Sequence, residues 1–417
     1  MALIDNFREK VSKLKTNGVS SEANFDAFYS SGFLSIDYLN GTTIFVEGKD
    51  RQFEYNATGI VDGSTNTFIG RSGSGKSTLI TQIAGNIIRP FVKKGMNTAL
   101  FIDDIEGSLP QSRKEFLLGL TRDELEKYVV VRNFGITAEN LFDRIKVIRD
   151  TKVSNRKEYE YDTGMYDTYG NRIFKLVPTI YLVDSLPMLL PENLAEDDDL
   201  GGSMAASSIA KTNTMLFKKI SQWCKEANII FFTVNHILDN IQMGFIPKAS
   251  QLSGIAQDER LPGSKAATYL ANNMFRTDDG TTLKATEGFG IDGSVVKLTL
   301  VKSRTNATKR SVPLIFNKTE GRFDTLLSLF QLLKQEGKLG GAGVKLYIDG
   351  AEDIKFSQKT FKQTIESSPE LQKAFSEACY GILVKFLSET RTFSSENNTA
   401  SDNIMDMISV MGNGSLN

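Results

Sequence analysis

Residues 67–78 read Thr-Phe-Ile-Gly-Arg-Ser-Gly-Ser-Gly-Lys-Ser-Thr. Within this stretch, the run from Gly70 to Ser77 matches the pattern G-x-x-x-x-G-K-[ST], placed after a predicted strand and at the start of a predicted helix. The glycines let backbone N–H groups curve around a phosphate, and the start of the helix adds a positive dipole. The stretch therefore predicts a loop that binds the phosphates of a nucleotide, although a plain Gly- and Ser-rich turn before a helix is the alternative.

The residues of this loop have predicted roles in binding. Lys76 can reach the β- and γ-phosphates, and Ser77 can ligate Mg²⁺. Asp184 ends an apolar run, and a carboxylate at the carboxyl end of a buried strand suits the metal, although it could simply cap a helix. Ser77 and Asp184 are therefore the predicted metal-binding residues. The predicted nucleotide-binding residues are Gly70, Arg71, Ser72, Gly73, Ser74, Gly75, Lys76, Ser77, Thr78 and Asp184.

Polar side chains also follow two other predicted strands. Glu106 is the first candidate, and Asp104 the second, for a carboxylate that orients and deprotonates an attacking water. Both could equally be ordinary acidic residues at a strand–loop corner. His236, the only histidine, follows a buried strand together with Asn235. This pair could hydrogen-bond a γ-phosphate and report it to the next loop, or His236 could be a structural hydrogen-bonding residue.

The segment 301–322 is locally basic, with six basic residues against one acidic residue. Lys302 and Arg304 lie at its start, where a predicted strand ends. These cations could contact phosphates of a nucleic acid or of a neighbouring copy's nucleotide, as an arginine finger does. The alternative is a solvated basic face.

Composition limits the class of protein. The 417 residues include 49 basic and 50 acidic residues, so contact with nucleic acid would need a local basic surface. Two cysteines and one histidine exclude a disulfide scaffold and most Cys- or His-based metal sites. No apolar run approaches the roughly 18 residues of a membrane span, and residues 1–15 lack a signal-peptide core. We expect a soluble, cytoplasmic protein with no membrane partner.

Strand-like runs alternate with helical periods from residue 67 onward, which is typical of a parallel sheet with crossover helices. The predicted strands are 67–70, 98–103, 128–132, 179–184, 229–235 and 295–301, and the predicted helices are 77–89, 122–127, 138–149, 205–227 and 264–272. The predicted organisation is a helix at 4–15 and an irregular linker within 1–60, an α/β core at 61–325, a small, mainly helical domain at 326–390 and a flexible tail at 391–417.

Two stretches interrupt the alternation. Residues 151–173 are polar and tyrosine-rich, which predicts an inserted hairpin whose tyrosines pack rather than stack on bases. Residues 238–262 form a long connection without clear periodicity, which indicates a functional loop.

These motifs, in this order, resemble the RecA-type recombinases, and most closely the UvsX-like phage recombinases. The likeness covers roughly residues 30–325. It is carried by the phosphate loop together with Val183-Asp184-Ser185, Asn235-His236, Lys302-Ser303-Arg304-Thr305 and the segment 33–41. The resemblance implies a RecA-like P-loop ATPase core, with a mostly parallel twisted sheet flanked by helices, a short N-terminal helical segment and a small C-terminal domain.

The resemblance also implies an activity, cofactors and partners. The family uses ATP and Mg²⁺, forms a helical filament on single-stranded DNA, and pairs that strand with homologous duplex DNA, in some cases with a loading or mediator protein. ATP lies between protomers, so Lys302 and Arg304 would reach it from the adjacent copy. The implied catalytic residues are Glu106, Lys76, His236, Lys302 and Arg304.

The two DNA-binding loops of the family map to about residues 191–204 and 238–262. The first is acidic here, which opposes phosphate contact, so a Gly-Gly hinge and its neighbours are expected to touch the DNA. The expected DNA-binding residues of both loops are Gly201, Gly202, Ser203, Phe245, Lys248, Gln251 and Arg260.

One departure affects the choice of base. An ungapped alignment from Phe101 to Pro110 places Ile105, rather than Glu106, at the family's glutamate position. Two other functions share the nucleotide residues: a RecA-fold motor such as a helicase or packaging ATPase, and an ATP-binding scaffold that polymerises without exchanging strands. The segment before residue 60 is short for the extra domain that such helicases carry.

Overall fold

The computed structural model describes residues 26–47, 52–107, 109–167, 169–196, 205–239, 255–256, 258–262 and 265–388. The predicted helix at 4–15 and the predicted tail at 391–417 lie outside these residues.

The described strands, in chain order, are β1 (Phe28–Tyr29), β2 (Thr42–Glu47), β3 (Gln52–Ala57), β4 (Ile60–Val61), β5 (Thr65–Gly70), β6 (Ala99–Asp104), β7 (Val129–Arg132), β8 (Glu160–Tyr166), β9 (Arg172–Leu176), β10 (Thr179–Asp184), β11 (Ile229–His236), β12 (Leu238–Asp239), β13 (Glu259–Arg260), β14 (Asn273–Leu283), β15 (Gly293–Lys302), β16 (Arg310–Asn317), β17 (Arg322–Asp324), β18 (Leu339–Gly340) and β19 (Tyr347–Ile348). The described α-helices are α1 (Leu34–Leu39), α2 (Lys76–Lys93), α3 (Gln111–Leu118), α4 (Arg122–Tyr128), α5 (Ala138–Ser154), α6 (Arg156–Tyr159), α7 (Glu192–Ala195), α8 (Ala205–Ala227), α9 (Lys265–Leu270), α10 (Thr325–Gln335), α11 (Phe361–Ser367) and α12 (Pro369–Ser388).

Nine strands form one central sheet in the order β17-β16-β15-β14-β5-β11-β10-β6-β7. The pairs from β14 through β5, β11, β10 and β6 to β7 are parallel, whereas β14 to β17 pair antiparallel. The protein is therefore mixed α/β, with a large, mostly parallel sheet flanked by helices. This confirms the predicted fold class at that level.

The strand register places the carboxyl ends of four strands on the same side of this sheet, which we call the carboxyl edge. His236 at the end of β11 lies opposite Gly70 at the end of β5. Asp184 at the end of β10 lies opposite Asp104 at the end of β6. Because these strands run in the same direction, the polar residues that follow them lie close together; the opposite side of the sheet is the amino edge.

All the strands and helices predicted within the core are present, with ends shifted by a few residues. The pattern missed β14, whose first half is buried and whose second half, from Asp278, is largely exposed. It also missed β16, β17, α3 and the β2/β3 hairpin. The expectation of an irregular linker was wrong for the described residues between 26 and 60, because they contain β1, α1, β2, β3 and the start of β4.

Helix α1 supports the turn that follows β15. The buried Asn40 side chain accepts hydrogen bonds from the hydroxyls of Ser303, at 3.3 Å, and Thr305, at 3.2 Å. Its own amide donates to Gly59 O at 2.8 Å. This contact holds the turn that carries Arg304 against the N-terminal part of the fold.

The inserted hairpin predicted at 151–173 is present as β8 and β9, joined to the end of α5 by α6. The Tyr161 ring meets Phe91 edge to face at 5.2 Å, and its hydroxyl donates to that of Tyr29 at 3.0 Å. These contacts confirm that Tyr161 packs, whereas Tyr169 is 68% exposed.

Helices α10, α11 and α12 pack around a second apolar core, which also includes Tyr38, Phe289 and Ile315. In this core the ring centroids of Phe330 and Phe361 lie 4.4 Å apart. A small β18/β19 hairpin, which the sequence did not predict, joins α10 to α11. Asn306 donates to Phe386 O at 3.1 Å, which links this unit to the turn after β15. Each helix of the described residues is too short or too polar to cross a membrane.

Candidate nucleotide-binding site

The loop between β5 and α2 has the backbone shape expected of a phosphate-binding loop. Gly73 and Gly75 both have φ of +80°, which favours glycine. Helix α2 starts at Lys76, and within the described residues no side chain caps it and no acidic residue occupies its first turn. The N–H groups at this helix start can therefore donate to an anion.

Residues of two other strands, β14 and β17, contact the loop. The hydroxyls of Ser74 and Thr277 lie 2.8 Å apart, and Thr277 also donates to Ile69 O. On the other side, the Phe323 ring of β17 lies against Gly75, where a Cβ atom would come within 2.8 Å of the ring. Sequence analysis missed both supports, because β14 and β17 are distant in the chain and carry no local signal.

Lys76 is buried and bound by the loop itself. Its ammonium donates to Gly70 O at 3.0 Å and Arg71 O at 2.7 Å. Burial lowers the pKa of Lys76, and the negative charges of Asp184 and Glu106 act in the opposite direction. The ammonium thus lies where it can exchange backbone carbonyls for a phosphate.

Asp184, Glu106 and His236 meet at the carboxyl edge. The Asp184 carbonyl accepts the Ile105 and Glu106 N–H groups at 2.7 and 3.1 Å. Glu106 Oε1 accepts a hydrogen bond from the Ser185 hydroxyl at 2.9 Å and lies 2.7 Å from His236 Nε2. The Glu106 side chain is 27% exposed, so water can reach it.

The two other candidates for the base position face elsewhere. Asp104 forms an ion pair with Lys114, with 2.6 Å between Oδ2 and Nζ. Ile105 packs against the apolar cluster that includes Ile136 and Leu189. Among these three residues, Glu106 is therefore the one that the structure brings to His236.

Ser77 and Asp184 fit a Mg²⁺ ion that is shared with a nucleotide. The described residues contain no group of three or more His, Cys, Asp or Glu side chains that could hold a metal by themselves. Mg²⁺ in such sites needs only one or two protein ligands, because phosphates and waters complete its shell. The hydroxyl of Ser77, in the first turn of α2, and the buried carboxylate of Asp184, at the carboxyl edge, are donors of this kind.

Lys302 lies away from the loop. Lys302 pairs with Met274 of β14, and Met274 pairs with Thr67 of β5. Lys302 is therefore level with Thr67, which precedes Gly70 by three residues, or about 10 Å along the strand. Its ammonium donates to Thr268 O at 3.0 Å and to Tyr269 O, at the end of α9.

Arg304 follows Lys302 at the amino edge and is exposed. Burial and the positive charge of Arg304 lower the pKa of Lys302 to about 8. The structure therefore separates these two cations from the carboxyl-edge residues of the same chain.

The second predicted DNA loop begins and ends at the carboxyl edge. Strands β12 and β13 pair at its base, with Leu238 opposite Arg260, whose side chain is exposed. An ion pair that the sequence did not predict joins Arg71 to Asp239 at 2.7 Å, so the phosphate loop contacts the start of this loop. The other expected DNA-binding residues lie outside the described residues: Gly201, Gly202, Ser203, Phe245, Lys248 and Gln251.

Gly75→Ala should destabilise the fold more than Gly73→Ala. Both glycines have φ of +80°, so each alanine costs about 1–2 kcal/mol of backbone strain. Only the alanine at position 75 meets the Phe323 ring, which adds about 1–3 kcal/mol of overpacking. Urea denaturation measures both free energies of unfolding, and equal losses would contradict the described packing.

The arrangement combines a phosphate loop, a buried carboxylate and a carboxylate–imidazole pair at one sheet edge. Comparison with protein-family models and with curated proteins found no match for this chain. The functional argument therefore starts from the geometry of the site and the order of its motifs.

Proposed function

We propose that the protein is an ATP-dependent DNA recombinase that forms a helical filament on single-stranded DNA and exchanges that strand with a homologous duplex. The observation that supports this proposal most is that the candidate residues for contacting a nucleotide lie at two opposite edges of one sheet. Lys76 and Glu106 lie at the carboxyl edge, whereas Lys302 lies at the amino edge. A head-to-tail second copy would bring the two sets together, and repeated head-to-tail contacts generate a filament.

The carboxyl edge has the groups that ATP hydrolysis requires. Lys76 and the first turn of α2 would bind the phosphates, and Ser77 and Asp184 would hold Mg²⁺. The bound Mg²⁺ supplies neutralisation of phosphate charge. Glu106, held through one oxygen by Ser185 and His236, would orient and deprotonate the attacking water.

A short path joins this site to the second predicted DNA loop. His236 contacts Glu106 and precedes β12 by two residues. Arg71 of the phosphate loop is ion-paired with Asp239 of β12. A nucleotide that attracts Arg71 or His236 would act directly on the base of the loop, which supports coupling between ATP binding and DNA binding.

Strand exchange is the direct test of this function. With ATP and Mg²⁺, the protein should exchange single-stranded DNA into a homologous labelled duplex, and Lys76→Ala should abolish exchange because it removes a charge-assisted phosphate contact. A non-homologous duplex and an exposed-lysine variant, Lys94→Ala, serve as controls. DNA-stimulated ATP hydrolysis without exchange, or directional unwinding of a fork, would favour a motor. Polymerisation without turnover would favour a scaffold.

Mixed subunits test the shared site. Lys76→Ala and Arg304→Ala should each lose DNA-stimulated hydrolysis, but for different reasons. The Lys76→Ala subunit loses a phosphate contact in its own site, whereas the Arg304→Ala subunit loses the phosphate contact that it makes in the site of the adjacent copy. A mixture should regain part of the activity, because some interfaces then combine an intact loop with an intact Arg304. A steady-state ATPase assay across mixing ratios measures this, and no recovery at any ratio would argue against a site between copies.

Hydrolysis should decline as the pH rises through the pKa of Lys302, about 8. The amine of Lys302 is cationic below that pH and loses its proton above it, so its attraction for a phosphate is lost on the alkaline side. Lys302→Arg should remove this alkaline limb, because arginine stays charged. Initial rates from about pH 7 to about pH 9.5 measure the effect for both proteins. Identical profiles would contradict a role for the Lys302 charge.

A further inference from the structure

A buried ion pair lies directly behind the candidate base. Lys114 Nζ of α3 and Asp104 Oδ2 of β6 are 2.6 Å apart, and the two side chains are 4% and 2% exposed. Burying two charges is costly, so such a pair stabilises a fold less than an apolar contact would. Its presence at the carboxyl edge therefore calls for a role other than stability.

The ion pair joins the two sides of the segment that carries Glu106. Asp104 is the last residue of β6, and Lys114 lies in the helix that begins at Gln111. Between them, Gly107 has φ of +63°, and a Cβ atom built on it would meet no described atom within 4 Å. The chain beyond Glu106 is therefore open at Gly107, and the ion pair joins the two sides of the segment.

The position of Glu106 depends on this closure. Its N–H, like that of Ile105, donates to the Asp184 carbonyl across the β6/β10 ends, and its carboxylate contacts His236. A shift of the segment by about 1 Å would move the carboxylate away from these partners and cost about a hundredfold in rate.

The pair also affects the charge beside the predicted metal site. Asp104 lies opposite Asp184 on neighbouring strands, which are about 4.8 Å apart. The ammonium of Lys114 compensates the charge of Asp104.

We propose that Asp104 and Lys114 form a positioning pair that holds residues 105–107 so that Glu106 meets His236. This inference rests on the proposed ATP hydrolysis, in which Glu106 acts on water. Because its two side chains are 4% and 2% exposed, the pair acts through the segment whose two sides it joins.

Asp104→Leu with Lys114→Met is the main test variant, because replacing both charges leaves no buried charge without its partner and the chain should fold. Asp103→Asn with Arg144→Met is the matched control, because it also replaces both members of a pair. It removes an ion pair that involves the same strand, with 3.0 Å between Arg144 Nη1 and Asp103 Oδ2, and the asparagine can still accept the hydrogen bond that Tyr181 donates to Asp103 at 2.6 Å.

Two readouts separate positioning from general stability. In the double variant, hydrogen exchange at the Ile105 and Glu106 amides should accelerate, and kcat for ATP should fall by about tenfold to a hundredfold with KM unchanged. Asp103→Asn with Arg144→Met should retain both the amide protection and kcat. Unchanged exchange and kcat in the double variant, or equal losses in the control, would overturn the proposal.

The exchange readout does not depend on catalysis. Should the wild-type protein hydrolyse no ATP, the proposed function fails. Faster hydrogen exchange at the Ile105 and Glu106 amides in the double variant alone would still support the positioning pair. Active wild-type protein whose 105–106 amides exchange freely would overturn the positioning pair alone.

Discussion

The parallel register of β5, β11, β10 and β6 is the constraint on which the rest of the site depends. It sets His236 opposite Gly70 and Asp184 opposite Asp104, so side chains from four separate chain segments reach one edge. A slip of one residue would turn alternate side chains to the other face of the sheet. β10 and β11 consist mostly of apolar residues and, like β5, are buried on both faces, and this burial holds the register in place.

The antiparallel half of the sheet gives the protein a polarity, in the sense that different groups lie at its two edges. From β14 onward the direction alternates, so β15 ends at the amino edge and carries Lys302 there. The turn that follows is fixed by the buried Asn40 of the N-terminal part, through the hydroxyls of Ser303 and Thr305. A change of strand direction inside one sheet therefore explains why one chain has the glycine-rich loop before α2 at one edge and the cations Lys302 and Arg304 at the other. This polarity is the property that a head-to-tail assembly needs.

Sequence patterns predicted the elements whose cause is local. The phosphate loop follows from glycine positions, and the parallel strands follow from continuous apolar runs. The pattern missed β14 altogether, because only its first half is buried and its second half is largely exposed and polar. Nor could it pair Lys114 with Asp104 or place Phe323 beneath Gly75, since these contacts join distant segments through tertiary packing. The candidate base was ambiguous in sequence for the same reason: neighbouring residues 104, 105 and 106 face an ion pair, an apolar cluster and His236.

Charge balance at the carboxyl edge indicates what the site is suited to bind. Four carboxylates lie at the ends of β6 and β10 or directly after them: Asp103, Asp104, Glu106 and Asp184. Arg144 and Lys114 form ion pairs with the first two. The buried Lys76 ammonium faces the negative charges of Asp184, Glu106 and Asp279. A nucleotide polyphosphate would add further negative charge beside the buried Asp184, and a divalent cation offsets charge of this kind. In the proposed ATPase, such a cation would therefore be bound together with the nucleotide.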